Sequence, residues 1–157
     1  MSSAERISHK QSLAPHEAGS AIAAIFLGAV ATVGGSMLSG MICGAIYASS
    51  LARSGSSAQD IVIASYRLEP TSWVFIVSTA FVFAFSIVGG YLCGRLSKRS
   101  HFRNAFILAA IIALLELLAT NGRYSLELRV ALCIGQIVFV VMGAAIARAQ
   151  SIKHARP

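Results

Sequence analysis

The chain has 157 residues, of which 56% are hydrophobic and 12% charged, with a net charge of +7 and a mean hydropathy of +0.72. An ordinary globular chain has about 25% charged residues, so this composition is too apolar to build a water-soluble surface. The basic residues form no continuous stripe, which argues against nucleic-acid binding. Together these features predict an integral membrane protein.

The first apolar segment is the longest. Between Glu17 and Arg53, 35 consecutive residues carry no charge. A helix of about 20 apolar residues crosses a bilayer core about 30 Å thick while satisfying its own backbone groups. The sequence therefore predicts a span over about 20–49 after a cytoplasmic tail over 1–19. The segment is far longer than the apolar part of a signal peptide, which predicts that it stays in the mature protein.

Small residues recur at every fourth position of this span, and large apolar residues lie on the opposite side of the helix. The second span repeats the small-xxx-small spacing, which permits close helix crossing in lipid. The predicted helix-packing residues are Ser36, Gly40, Gly44, Ser86, Gly90 and Gly94. They predict close packing of the first two spans. An inverted repeat is the alternative, although the many small residues of the first span explain the local match without a duplication.

The connection over 51–70 leaves two structures open. Ser57 and Asp60 have the spacing of a capping box, which favours a short amphipathic helix on the bilayer surface. The following residues also fit a strand, because their pattern has no clear polar face. We favour the helix.

Three further spans are predicted at about 71–94, 104–120 and 130–147, followed by a cytoplasmic tail over 149–157. Thr71 or Ser72 is placed to cap the second span, and Asn121-Gly122 supplies a stop signal after the third. Short connections between four helices predict an all-α membrane bundle with up-down-up-down order.

The basic residues predict the orientation. The two tails and the second loop hold nine of the 13 Lys and Arg residues, and the first and third loops hold four. The positive-inside rule therefore places both termini in the cytoplasm. Anionic lipid headgroups are the partners expected near Arg95, Lys98, Arg99 and Arg103.

Glu116 is the single acid within a predicted span, about 7 Å below the end of its helix. An ionisable group at that depth must pair, protonate or reach water. Gln136 is its best partner by depth, with Arg123 or Arg129 as alternatives from the loop. Glu116 is therefore either a coupling carboxylate of a transporter or a shallow residue that ties the third and fourth spans together, and we favour the second role.

No catalytic or metal-binding pattern is found. Cys43, Cys93 and Cys133 are widely spaced within apolar runs, which predicts buried small hydrophobes. Met37 and Met41 could offer thioethers to Cu(I), but core filling is the favoured role. The sequence has no paired intramembrane acids, no Cys-x-x-Cys and no phosphate-binding glycine loop. We therefore expect no enzyme activity, cofactor or metal.

The run Gly89-Gly-Tyr-Leu-Cys-Gly-Arg95, with Lys98-Arg99 and the apolar helix from Asn104, resembles a pattern of small uncharacterised bacterial inner-membrane proteins with four helices. This resemblance implies no activity. The chain is also similar to small multidrug transporters in having four spans and one membrane carboxylate, but theirs lies in the first span. The charge bias also opposes the dual insertion typical of that group.

Two functions follow from the sequence. The favoured one is a non-enzymatic membrane protein that acts through helix-helix contacts, as an accessory subunit or by self-association. The alternative is a small proton- or cation-coupled transporter or channel subunit that uses Glu116.

Overall fold

The computed structural model describes residues 15–66, 68–97 and 101–154. These residues form five α-helices and no strand: α1 Pro15–Arg53, α2 Ala58–Tyr66, α3 Trp73–Leu96, α4 His101–Ala119 and α5 Leu126–His154. Helices α1, α3, α4 and α5 are long and apolar enough to cross a membrane. The prediction of an all-α membrane bundle is confirmed. The alternative of a strand after Ser57 is wrong.

Local hydrogen bonds explain where several helices begin. Ser72 precedes α3, and its Oγ accepts from the backbone N–H of Phe75 at 3.3 Å, as predicted for an N-cap. Before α2, the Asp60 N–H donates to Ser57 Oγ at 3.2 Å, and Ser57 Oγ donates to the Asp60 carboxylate at 2.6 Å. The bonds from the N–H groups of Phe75 and Asp60 satisfy backbone donors that the first turn of a helix leaves free.

Two helices are longer than the predicted spans. α1 begins at Pro15 and ends at Arg53, and α5 begins at Leu126 and ends at His154. With 39 residues, α1 measures about 58 Å, nearly twice the thickness of the hydrocarbon core. The apolar pattern marks the part of a helix that lipid can cover, whereas the helix itself continues into the interface.

α3 is the central helix of the bundle, in contact with α1, α4 and α5. α5 also contacts α4, and α1 contacts α2 and α4. The buried core lies between α3, α4 and α5 and consists of Cys93, Leu108, Ala109, Ile112 and Val140. All three cysteines are buried with free thiols, as predicted.

The outer surface of the helices is largely apolar, as lipid requires. Met37 and Met41 belong to this surface, with 65% and 71% of their areas exposed. The prediction that they fill the core is wrong, because they lie on the side of α1 that faces away from α3 and α4.

Candidate functional site

Close packing of α1 on α3 occurs at Gly28 and Gly89. A Cβ atom on Gly89 would lie 2.6 Å from the Gly28 carbonyl oxygen and would overlap Thr32 Oγ1. Thr32 is buried, and its hydroxyl is satisfied there by donating to Gly28 O at 2.9 Å. The first two predicted spans therefore pack closely, but they do so through residues other than the predicted set.

The predicted small residues of α3 face α5. A Cβ atom on Gly90 would overlap the Val140 carbonyl oxygen, and one on Gly94 would lie 3.0 Å from Ala144 Cα. Ser86 Oγ is shared between the Val82 carbonyl at 2.8 Å and Gln136 Oε1 at 3.2 Å. Ser86, Gly90 and Gly94 thus make the contact between the second and fourth spans.

The predicted small residues of α1 lie elsewhere. Ser36 is half-buried and donates to the Thr32 carbonyl at 2.7 Å. Gly40 and Gly44 have room for a Cβ atom, which would have no atom of another described helix within 4 Å. They lie beside the exposed methionines, and we call the surface formed by Met37, Gly40, Met41 and Gly44 the outer α1 face.

Glu116 lies on α4 beside a cavity of about 150 Å³. The cavity is lined by Leu68, Phe75, Ser78, Thr79, Val82, Phe83, Glu116, Thr120, Tyr124 and Leu132. Glu116 Oε2 is buried and has no hydrogen-bond partner among the described residues. It is the one charged residue of this lining.

Two of the three partners predicted for Glu116, Gln136 and Arg129, are engaged elsewhere. Gln136 is 4% exposed and bonds to Ser86, as described above. The Arg129 guanidinium donates from Nη2 to the Leu117 carbonyl at 2.6 Å and from Nε to Thr120 Oγ1 at 3.3 Å. Arg129 therefore satisfies the last turn of α4 and does not hydrogen-bond the carboxylate of Glu116.

Tyr124 lines this cavity from the connection between α4 and α5. Its ring packs edge-on against Phe75, with centroids 5.5 Å apart. Burial raises the pKa of the Tyr124 hydroxyl, and the positive charge of Arg123 lowers it in part. The hydroxyl consequently keeps its proton near neutral pH.

The opposite end of the bundle carries basic residues. Arg95 Nη1 donates to Tyr91 Oη at 3.1 Å, and Tyr91 Oη donates to Gln150 Oε1 at 2.7 Å. Arg148 lies over the Phe102 ring at 5.3 Å from its centroid. Arg95 and Arg103 are exposed, and Lys98 and Arg99 lie outside the described residues. Headgroup binding by these four residues stays a prediction.

Sequence reasoning missed the contact that α5 makes with α3 through Gly143. A Cβ atom on Gly143 would overlap the Ile87 carbonyl oxygen and lie 2.7 Å from the Tyr91 nitrogen. Gly143 and Ala147 are four residues apart, so the same small-xxx-small spacing was a signal in the fourth span.

Comparison with known protein families, with curated proteins and with solved structures found no match. The class of the protein therefore follows from its fold and from the four helices that are long and apolar enough to cross a membrane. It is a multi-pass α-helical membrane protein.

Proposed function

We propose that this chain is a non-enzymatic protein of the bacterial cytoplasmic membrane that acts through helix-helix contacts. Its partner is either a second copy of the chain or a larger membrane assembly to which it is an accessory subunit. The outer α1 face carries the proposal, because Gly40 and Gly44 contact no other part of the described chain.

A glycine on a lipid-facing surface gives little packing and weakens a helix relative to alanine. What glycine does allow is the close approach of a second backbone, which is how small residues bring membrane helices together. Met37 and Met41 flank the glycines with flexible thioethers that can adapt to a partner. At other glycines of the bundle, such as Gly28 and Gly90, neighbouring helices of the same chain already occupy the space beside the backbone.

Replacing Gly40 and Gly44 together with Leu should weaken association in a bilayer by at least about tenfold while leaving the bundle folded. The added side chains would hold a partner helix away, while their Cβ atoms meet no atom of the other helices of this chain. Energy transfer between labelled copies and co-purification from native membranes would measure self-association and partner binding.

The matched control is Ala110→Leu, because Ala110 is an exposed small residue on α4 and so lies away from the outer α1 face. It should leave association unchanged. If the double variant retained both self-association and its co-purifying partners, the proposed function would be wrong.

We also propose that the spans alternate in direction and that both termini are cytoplasmic. Gly28 packs near Gly89 and Gly35 near Phe85, so α1 and α3 run in opposite directions. The basic residues near the chain ends support the cytoplasmic side.

Thiol labelling of intact cells tests this orientation. A membrane-impermeant reagent should modify Ser54→Cys, in the connection after α1, and leave Ser151→Cys near the C-terminus unmodified. The native cysteines are buried and should give little background. Labelling of Ser151→Cys before the cells are opened would contradict the assigned orientation.

A second candidate function is favoured by the unpartnered Oε2 of Glu116. A carboxylate held in a cavity within a membrane bundle is suited to take up and release a cation. In this case the chain is a small cation-coupled transporter or channel subunit.

A further inference from the structure

The Glu116 carboxylate lies at a cavity whose lining contains no basic residue. Its Oε2 atom is buried without a hydrogen-bond partner, although an ionised carboxylate held away from water is costly unless it is paired. Arg129 donates to Leu117 and Thr120 and does not line the cavity. Glu116 is therefore either protonated or compensated by a positive charge that Arg129 does not supply, and a cation entering the cavity would provide that charge.

Five of the ten residues that line the cavity are apolar, and four others carry a hydroxyl group. Ser78, Thr79, Thr120 and Tyr124 line it beside Glu116. Two of their hydroxyl protons are used by backbone carbonyls, since Ser78 Oγ donates to Phe75 O at 3.0 Å and Thr120 Oγ1 donates to Glu116 O at 2.7 Å. The lone pairs of Ser78 are left as acceptors, and oxygen acceptors of this kind are the ligands that hard cations prefer.

One negative charge in the lining fixes the charge of the ion. A monovalent cation would leave the site neutral, whereas a divalent ion would leave a net buried positive charge, which is unfavourable in a low-dielectric site. No group of three or more His, Cys, Asp or Glu side chains suited to a metal exists among the described residues, which also argues against a divalent ion. The volume of about 150 Å³ is large enough for an ion with water molecules.

We propose that this cavity binds a monovalent metal cation, with Glu116 as the charged ligand and the hydroxyls of Ser78 and Thr79 as neutral ligands. The inference rests on the second proposed function and names the ion that it would use. Leu68 and Tyr124 place the cavity at the end of the bundle formed by the first and third connections. With cytoplasmic termini, the ion would enter from outside the cell.

Sodium chloride added to the purified protein in lipid nanodiscs tests the site, with choline chloride holding the ionic strength constant. Sodium should raise the midpoint of thermal unfolding, because an ion that binds only the folded state stabilises it. Calorimetric titration would give the affinity directly. Glu116→Gln should abolish both signals, and Ser78→Ala with Thr79→Val should weaken binding at least about tenfold.

Without sodium, Glu116→Gln should be at least as stable as the native protein, since the amide needs no counter-ion. A purely structural Glu116 would instead make this variant less stable in both salts. Glu127→Gln is the matched control, because Glu127 is exposed at the start of α5 and lies outside the cavity. It should respond to sodium as the native protein does.

Equal stability of the native protein in sodium and choline would overturn the inference, as would stabilisation by magnesium alone. If Glu116→Gln does not fold, the Ser78→Ala and Thr79→Val variant still tests the site.

A transport assay in proteoliposomes distinguishes failure of the cation site from failure of the second proposed function. Glu116-dependent proton transport without sodium binding would refute the cation site but keep the second function. Sodium binding without transport would keep the cation site but refute the second function.

Discussion

Gly90→Leu is expected to abolish the folded bundle. A Cβ atom at this position would overlap the backbone carbonyl of Val140, and backbone cannot rotate away as a side chain can. The leucine would force α3 and α5 apart at the centre of the molecule. We expect a loss beyond the about 1–3 kcal/mol typical of overpacked cores. Size-exclusion chromatography and thermal unfolding in detergent would measure the yield and the stability of folded protein.

Gly34→Leu is the matched control, because it makes the same substitution where an added Cβ atom would have no atom of another described helix within 4 Å. It should fold with near-native stability. Gly143→Leu should behave like Gly90→Leu, since Gly143 approaches Ile87 O from the other side of the same interface. Native-like unfolding of Gly90→Leu would mean that α3 and α5 are not packed as described.

The number and type of helices could be predicted from sequence because hydropathy reports directly on which segments lipid can cover. The short helix α2 could also be predicted, since Ser57 and Asp60 offer their side chains to its first turn. The residues at which the helices end were harder to predict. Arg129 and Arg148 lie within α5, although each bounds the apolar run, because a charge ends the lipid-covered part without ending the helix.

The rotation of each helix could not be predicted from sequence. α3 and α4 are apolar on all sides, so the hydrophobic pattern does not indicate which face turns inward. For this reason the small residues Gly40 and Gly90 looked equivalent, although Gly90 packs on α5 and Gly40 packs on nothing in the described chain. Packing geometry, and not residue type, separates them.

The candidate site could be predicted only in part, because the sequence gives the depth of a residue but not the face of the helix on which it lies. The position of Glu116 along α4 gave its depth, and an ionisable group at that depth must pair, protonate or reach water. Its neighbours depend on three helices and two connections meeting at one end of the bundle. The predicted partner Gln136 has a suitable depth but faces Ser86.

Arg129→Met should destabilise the bundle by about 1.5–3 kcal/mol, the range of hydrogen bonds made by charged groups. Arg129 joins the start of α5 to the last turn of α4 through Leu117 O and Thr120 Oγ1. Methionine keeps much of the aliphatic stem but removes the donors, so the Leu117 carbonyl would lose its bond to Arg129. Chemical denaturation in detergent would measure the free energy of unfolding.

Arg53→Met is the matched control for the lost charge. Arg53 is exposed at the end of α1 and, like Arg129, belongs to the less basic side of the predicted topology, so both variants change the charge bias equally. It should alter stability by less than about 0.5 kcal/mol, as substitutions at exposed sites usually do. Arg129→Lys should recover only part of the loss, because a single ammonium lacks the forked donors of a guanidinium. Equal stability of Arg129→Met and Arg53→Met would show that the link between α4 and α5 does not depend on this arginine.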